Sequence, residues 1–142
     1  MKTAHILYNS KTGTTEKYAR EIGAFLEGHG VTALVESIFA CDPEKLTQAN
    51  VVLLGCWTSG LMVIFQRPER TWVEFARTLP DLHGKKILLF TTYALATGSM
   101  FREMRKHLRC ESKDILMELK SRNGELNPIQ KDILTKLIKE NL

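Results

Sequence analysis

The sequence predicts an α/β fold: a three-layer α/β/α sandwich on a five-stranded parallel sheet in the order 2-1-3-4-5. The first observation behind this prediction is strict alternation, because strand-like and helix-like patterns follow one another five times over the 142 residues. The second is that the strand patterns "NVVLLGC" and "KKILLFTTY" are almost continuously apolar, which is typical of strands buried on both faces. The length favours a single domain of residues 1–142.

The first half of the chain supplies two strand–helix pairs and the first doubly buried strand. The run "TAHILYN" ends at a hydroxyl-rich loop, and the helix after it presents one apolar face that stops at Gly28 and Gly30. β-Branched residues then predict the second strand. Asp42 and Pro43 predict an N-cap followed by the first position of a short helix.

The second half continues the alternation. Pro68 predicts the start of a helix whose apolar stripe stops at Pro80, and Asn127 with Pro128 repeats the cap-and-proline signal before the last helix. The fifth strand alternates apolar and polar residues, as an edge strand does. The strands are predicted at residues 3–9, 31–38, 50–56, 85–93 and 114–120, and the helices at residues 15–27, 43–48, 68–79, 99–109 and 128–138.

Composition argues against several classes of function. The net charge of +4 is modest, and the densest basic cluster alternates with Glu103 on a predicted helix, which favours a solvated face over a nucleic-acid surface. That cluster consists of Arg102, Arg105, Lys106 and Arg109. The three cysteines and four histidines are scattered, which indicates neither a disulfide framework nor a metal site. No apolar run is long enough for a signal peptide or a membrane span, so we expect a cytoplasmic protein.

The loop "SKTGTT" at residues 10–15 predicts an anion site. It joins the carboxyl end of a strand to a helix N-terminus, where unpaired N–H groups and the helix dipole attract negative charge. Its hydroxyls can donate to phosphate oxygens, and Gly13 lets the backbone come close. This loop contains neither the G-x-x-x-x-G-K-[ST] nor the G-x-G-x-x-G phosphate-binding motif. Elsewhere in the chain, Gly55 and Gly60 have the glycine spacing of the first motif, but Leu61 stands where that motif needs lysine.

"S-K-T-G-T-T" resembles the [ST]-x-T-G-x-T phosphate loop of flavodoxins, which bind FMN through its 5′-phosphate. The resemblance covers the architecture of the whole chain and this motif in detail. It implies a flavodoxin-like fold, FMN as cofactor, and a phosphate held by the residues that match the motif. These residues are Ser10, Thr12, Gly13, Thr14 and Thr15. Lys11 falls at the variable position, where it points to solvent or supplies an extra cation.

The loop after the third strand resembles the family less closely. Flavodoxins commonly carry a Thr-Trp-Gly-type loop against one flavin face, and "GCWTSG" keeps Thr58 and Gly60 while Ser59 takes the usual place of the tryptophan. Trp57 comes earlier in the loop than the usual tryptophan. Its side chain is expected either to contact the flavin ring or to pack into the protein. Gly60 resembles the glycine whose peptide turns its carbonyl toward N5 of the reduced flavin.

The loop after the fourth strand completes the implied flavin site. Tyr93 is placed slightly earlier than the tyrosine that many flavodoxins stack on the other ring face, and a strand-end tyrosine with its hydroxyl in water is the alternative. Backbone N–H groups of residues 92–98 are expected to hold the pyrimidine edge of the flavin. The candidate residues of this loop are Thr92, Tyr93, Ala94, Thr97 and Gly98.

The apolar run "LMVIF" at residues 61–65 departs from the acidic character of many flavodoxins. Five exposed apolar residues in a row need a cover, so the run is expected to cap the flavin, to form a partner or homodimer surface, or to make an extra buried turn. Because fewer negative charges lie near the flavin, we expect a higher reduction potential than in acidic relatives.

The resemblance implies a small FMN-binding electron carrier that exchanges electrons with redox partner proteins. Two alternatives stay open: a flavodoxin-like oxidoreductase acting on a quinone or a porphyrinogen-type substrate, and an interaction module that has lost FMN. The four hydroxyls of the first loop argue against the last of these. No acid–base pair is evident, and Cys56 is assigned to the core, so no catalytic residue is predicted.

Overall fold

A computed structural model of the chain, which describes residues 2–61 and 64–142, contains a six-stranded sheet flanked by five helices. The strands are β1 Lys2–Asn9, β2 Val31–Ser37, β3 Val51–Leu61, β4 Ile64–Pro68, β5 Lys86–Thr92 and β6 Ile115–Ser121. The helices are α1 Thr14–Glu27, α2 Pro43–Leu46, α3 Arg70–Thr78, α4 Met100–Lys106 and α5 Pro128–Asn141. The parallel strands lie in the order β2-β1-β3-β5-β6, which is the predicted 2-1-3-4-5 order once antiparallel β4 is left out. The predicted fold class is confirmed.

β4 is the main departure from the sequence prediction, which had no strand there. β3 continues to Leu61, and β4 pairs antiparallel with its last part, so that Thr58 lies opposite Pro68. The prediction that Pro68 opens a helix is wrong: Pro68 ends β4, and α3 begins at Arg70 behind the N-cap Glu69. Proline suits the end of an edge strand as well as the start of a helix, because both positions leave its missing N–H unneeded.

The apolar run 61–65 lies at the junction of β3 and β4. Leu61 belongs to β3, and Ile64 and Phe65 belong to β4. Met62 and Val63 lie outside the described residues. The expected homodimer through this run therefore stays a prediction.

The core consists of two apolar clusters, one on each face of the sheet. Alternate residues of each central strand point to opposite faces, so neighbours in sequence such as Ile6 and Leu7 belong to different clusters. α1 and α5 cover one face, where Tyr18 is fully buried, and α3 and α4 cover the other, where Trp72 is fully buried. Burial on both faces explains why the central strands read as continuous apolar runs.

The sheet brings the carboxyl ends of β1, β3 and β5 to one edge. Asn9 at the end of β1 lies beside Cys56, and Cys56 lies beside Thr91 of β5. The loops that follow these residues are therefore neighbours, at the point where the strand order reverses between β1 and β3. Ligands of doubly wound folds bind in this position.

Candidate functional site

A cleft of about 230 Å³ lies at this edge of the sheet. Its lining brings together residues from all three loops that the sequence singles out, and one that it does not: Lys11, Thr12, Thr14, Trp57, Thr58, Thr92, Tyr93, Ala94 and Arg122. The volume lies below the range of roughly 300–1,000 Å³ that is usual for enclosed ligand pockets. A ligand of that size range would keep part of its surface in solvent here.

The loop at residues 10–15 has the geometry of an anion site. The hydroxyl of Ser10 accepts a hydrogen bond from the Gly13 N–H (3.0 Å), and Gly13 adopts φ +94°, a conformation that favours glycine. Gly13 is also the N-cap of α1, and within the described residues no side chain caps this helix. The N–H groups of the first helical turn are therefore available to an anion from outside the helix.

Hydroxyl pairs tie the strand ends beneath the cleft to one another. The hydroxyls of Thr15 and Thr92 share a buried hydrogen bond of 2.6 Å, which joins α1 to β5. The hydroxyl of Thr91 donates to the Cys56 carbonyl (2.6 Å), so Thr58 is the donor in the 2.8 Å bond between the Thr58 and Thr91 hydroxyls. These bonds fix the positions of the three loops relative to one another.

Six predicted site residues do not line the cleft: Ser10, Gly13, Thr15, Ser59, Thr97 and Gly98. Ser10, Gly13 and Thr15 shape the phosphate loop through the hydrogen bonds described above. Ser59 lies in β3 opposite Arg67, and the register of β3 and β4 shifts between Ser59 and Leu61. Gly98 has φ +48° and packs against the buried side chain of Gln66, so any Cβ there would overlap the Gln66 amide.

The placement of Trp57 in a loop is wrong, because it belongs to β3, as do Thr58, Ser59 and Gly60. Pairing with β4 extends β3 beyond the point where its apolar run stops. The Trp57 ring is half-buried in the cleft lining, and the Lys11 ammonium lies 4.9 Å from the ring centroid. A cation–π contact at an exposed site is worth only about 0.5–1 kcal/mol. A ligand ring can therefore displace Lys11 from Trp57 at little cost.

Tyr93 follows β5 directly and is half-buried in the same cleft. Its N–H donates to the Ser121 carbonyl (3.2 Å), which anchors the start of the loop to β6. Its ring lies 5.8 Å from the Lys120 ammonium and 5.5 Å from the Arg122 guanidinium carbon. Sequence reasoning missed Arg122 because it considered only the loops at the switch point, although the adjacency of β5 and β6 in the predicted order places the next loop beside Tyr93.

Glu69 connects the end of β1 to the start of α3. Its carboxylate accepts hydrogen bonds from Asn9 Nδ2 (2.9 Å), the Thr71 N–H (2.9 Å) and the Thr71 hydroxyl (3.0 Å). Cys56 lies beside this cluster, and burial raises the pKa of its thiol to about 12. A fully buried thiol with such a pKa is protonated at neutral pH, which agrees with its assignment to the core.

The hydrogen bonds of Glu69 predict a pH-dependent contribution to stability. Partial burial acts to raise the pKa of Glu69, but hydrogen bonds from Thr71 and Asn9 bring it below its ordinary 4.5. A lowered folded-state pKa means that the carboxylate stabilises the fold above the unfolded-state value, and that this contribution disappears as the pH falls through the folded-state value. Glu69→Gln keeps one acceptor oxygen for the helix cap but replaces the other by an amide NH2, and it is expected to lower the free energy of unfolding at pH 7 by about 1 kcal/mol, the usual net contribution of one hydrogen bond.

Urea denaturation across the acidic range measures this effect, because the Gln variant should lose less stability than the parent chain as the pH falls below 4.5. Glu74→Gln is the matched control, since Glu74 is exposed on the same helix and pairs only with Arg70 in the contacts described (3.1 Å). Equal acid profiles for the parent chain and the Glu69 variant would contradict this prediction.

Comparison with known proteins decides the family. The family model described as Flavodoxin matches residues 6–115, which is more than half of the chain. The chain belongs to the flavodoxin family. A flavodoxin from Megasphaera elsdenii is 37% identical over 97 residues, and that alignment spans 66% of this chain and 66% of the relative, slightly under two thirds of either.

Solved flavodoxin structures superimpose on nearly the whole chain. The two-electron-reduced flavodoxin of Megasphaera elsdenii gives a TM-score of 0.73 and 25% identity over 92% of this chain and 94% of that one. Flavodoxin 2 of Bacillus cereus gives a TM-score of 0.70 and 20% identity over 95% and 94%, and at this identity it supports the fold alone. The Megasphaera superposition covers more of both chains than the sequence alignment does, and the identity over it is lower.

Family membership confirms the resemblance drawn from the phosphate loop and makes FMN the cofactor to test against the cleft. The structure fits this cofactor. An uncapped helix N-terminus, hydroxyl donors and a cation suit a phosphate group, and two half-buried aromatic rings at the same edge of the sheet suit a planar ring system. No helix among the residues described is long and apolar enough to cross a membrane. Within the same residues, no group of His, Cys, Asp or Glu side chains is arranged to hold a metal ion.

Proposed function

We propose that this flavodoxin-family chain binds FMN in the cleft and acts as a small electron carrier between redox partner proteins. The observation that carries the proposal is the uncapped N-terminus of α1 beneath the S-K-T-G-T-T loop, beside a cleft lined by Trp57 and Tyr93. Bound FMN supplies the redox chemistry, because its ring system takes up and releases electrons. The residues of the chain bind the cofactor, orient it and leave part of it accessible.

The phosphate is assigned to the loop at residues 10–15. Ser10 already accepts from the Gly13 N–H, so its own hydroxyl proton is free to donate to a phosphate oxygen. Thr12 and Thr14 line the cleft and add two further hydroxyls. Lys11 supplies positive charge once it leaves the Trp57 ring. The Thr15 hydroxyl, bound to Thr92, holds the first turn of α1 in place instead of contacting the ligand.

The ring system is assigned to Trp57, Thr58 and the loop that begins at Tyr93. The Tyr93 N–H is already donated to Ser121, so the N–H groups proposed to hold the pyrimidine edge are those of residues 94–98. Thr97 and Gly98 serve this role through their backbone. The bond between the Ser99 hydroxyl and the Gln66 carbonyl (2.7 Å) fixes the far end of the loop against β4.

Gly60 is proposed to tune the reduction potentials, because it lies where the register of β3 and β4 shifts, and such irregularities re-aim backbone groups. Gly60→Ala hinders rotation of this peptide. The substitution is expected to move a one-electron reduction potential by roughly 30–60 mV, which is a three- to tenfold change in the equilibrium constant for that reduction. The Kd for FMN is expected to stay within about threefold of the parent value. Redox titration measures the shift, with Gly28→Ala at the exposed end of α1 as control. A shift no larger than that of the control would contradict the role of Gly60.

An electron carrier fits the cleft better than an enzyme acting on a quinone or a porphyrinogen. Among the described residues that line the cleft, none carries a carboxylate, an imidazole or a thiol, and the two side chains that could serve in general acid–base chemistry, Lys11 and Tyr93, are assigned to flavin binding in this proposal. A homodimer through residues 61–65 and a cytoplasmic location remain part of the proposal. Sedimentation of the purified protein tests the first of these.

The visible spectrum of the purified protein, followed by reduction and reoxidation, tests the proposed function. We expect the absorption bands of a flavin, one FMN per chain, and complete recovery of the oxidised spectrum after a cycle of dithionite and a one-electron oxidant. Multiple turnover of a quinone at a rate far above its reaction with free reduced FMN would favour the oxidoreductase. A chain that takes up no flavin would leave an interaction module.

A further inference from the structure

Three cationic side chains surround the two aromatic rings of the cleft. Lys11 lies over Trp57, and Lys120 and Arg122 lie beside Tyr93, each with its charged group within 6 Å of a ring centroid. All three residues are exposed. Lys11 is assigned to the phosphate in the proposed function, so we refer to Lys120 and Arg122 as the basic rim. It borders the part of the cleft that faces solvent.

Both members of the basic rim stand apart from the phosphate loop. Lys120 is in β6, opposite Thr91, and Arg122 follows that strand. In the strand order, β6 is separated from β1 by β3 and β5, so three inter-strand spacings, about 14 Å, lie between their backbones. Lys120 and Arg122 are therefore placed to act on something other than the phosphate at the end of β1.

Nearby carboxylates do not neutralise the basic rim. Glu118 pairs with Arg105 (3.0 Å) and Glu125 pairs with Lys17 (3.3 Å). Within the described part of the chain, none of the nine residues that line the cleft is acidic. Among all the residues that the structure describes, no salt bridge involves a member of the basic rim. The cleft mouth thus presents uncompensated positive charge, in a protein whose net charge is +4.

We infer that the basic rim is the docking surface for a redox partner that presents an acidic patch around its own redox centre. This inference rests on the proposed function, since it places the partner where bound FMN would exchange electrons. Complementary charge at the exit of a cleft steers diffusional encounter and fixes the orientation of the partners. Lys120 and Arg122 lie over the Tyr93 ring and form no ion pair among the described residues that must first be broken, so they can turn toward carboxylates of the partner at low cost.

The kinetic test uses a charge-reversal pair and a matched control. Lys120→Glu/Arg122→Glu changes the charge by the same amount as Lys136→Glu/Lys139→Glu, which lies on exposed positions of α5. α5 ends at the opposite edge of the sheet, where the Asn141 carbonyl accepts a hydrogen bond from Lys86 at the start of β5. Each FMN-loaded protein is reduced by two electrons and mixed with hexacyanoferrate(III). Two of these anions are consumed per reduced FMN, because each takes one electron and becomes hexacyanoferrate(II).

We expect the rim variant to react about tenfold more slowly than the parent chain at low ionic strength, and the difference to shrink as salt screens the charges. With the cation tris(phenanthroline)cobalt(III) as oxidant, the order should reverse. At moderate salt the control pair should stay within about twofold of the parent chain, because Lys136 and Lys139 lie about 9 and 14 Å along α5 from Gln130, which contacts Lys120, and this is roughly a Debye length or more.

A binding readout that needs no electron transfer accompanies the kinetics. A decaglutamate peptide is titrated into isotope-labelled protein, and amide shifts are expected around residues 93–94 and 120–122. The rim variant should lose these shifts, whereas the control variant should keep them. Equal responses of the rim and control variants in kinetics and in peptide binding would overturn the inference.

Failure of this inference is distinguishable from failure of the proposed function. If the parent chain binds FMN and cycles between redox states while the rim variant behaves like the control, the electron carrier stands and the acidic partner does not. If the parent chain takes up no FMN, both are overturned. If the rim variant alone loses anion-dependent rate and peptide shifts while retaining its FMN, the docking surface is supported.

Discussion

Replacing Thr12 by aspartate is expected to weaken FMN binding by at least about 100-fold while leaving riboflavin binding unchanged. Thr12 is exposed in the phosphate loop, with its hydroxyl 3.5 Å from that of Thr14. At pH 7 a phosphate monoester carries a charge of about −1.5 to −2. Two unit charges about 4 Å apart interact by roughly 4 kcal/mol near a protein surface. A dianion doubles this repulsion to roughly 8 kcal/mol. If screening by solvent and salt leaves only a third of it, the remaining energy of about 2.7 kcal/mol still weakens FMN binding by a factor of about 100.

Thr12→Asn is the matched control, because it has nearly the shape of aspartate without its charge. Flavin titrations of the two apoproteins, followed by quenching of flavin fluorescence, give the affinities for FMN and riboflavin. The expected result is a large difference between Asp and Asn for FMN and none for riboflavin. An equal loss for both flavins would mean that the substitution disrupts the fold or the ring site, and it would contradict a phosphate in this loop.

The second large effect is expected in the sheet beneath the cleft, at Gly55. Gly55 lies beside Phe90 in the register of β3 and β5, and a Cβ at Gly55 would overlap the ring of that residue. Phe90 is fully buried and packs edge-to-face against Tyr18, with the ring centroids 6.0 Å apart, so it has little room to move. Gly55→Ala is therefore expected to destabilise the fold by about 3 kcal/mol, at the upper end for overpacking a core. Urea denaturation measures the change.

A double variant separates this clash from a general intolerance of β3 to substitution. Phe90→Leu removes ring atoms and should cost about 1–3 kcal/mol through the cavity that it leaves. If the ring is the obstacle, Gly55→Ala should cost much less in the Phe90→Leu background, with a coupling of at least about 1 kcal/mol. Additive effects of the two substitutions would contradict the proposed contact. The expected packing explains why a glycine interrupts an otherwise branched, apolar strand.

The features that the sequence predicted correctly are those that local patterns determine. Burial on both faces of β3 and β5 leaves continuous apolar runs, and alternation of strands with helices restricts the topology to a few right-handed arrangements. The phosphate loop was recognisable because its function depends on residues adjacent in sequence. Its position at a helix N-terminus followed from the same local pattern.

The features that were missed depend on contacts between distant segments. β4 exists because residues 64–68 pair with the end of β3, and nothing in a short apolar run before Pro68 distinguishes such a pairing from a loop. The side chain of Glu69 caps α3 by accepting hydrogen bonds from Thr71, and Pro68 ends β4 instead of opening the helix. Arg122 reaches the cleft because β6 is the neighbour of β5. Each of these is a consequence of tertiary structure that local periodicity does not encode.

The affinity of the apoprotein for FMN, compared with its affinity for riboflavin, tests the central claim most directly. The two flavins share the ring system and the ribityl chain and differ only in the phosphate. Hydrogen bonds to a charged group contribute about 1.5–3 kcal/mol each, so two or more from the loop at residues 10–15 predict a preference for FMN of at least about 100-fold. Equal affinities, or no binding of either flavin, would contradict a phosphate site at the N-terminus of α1.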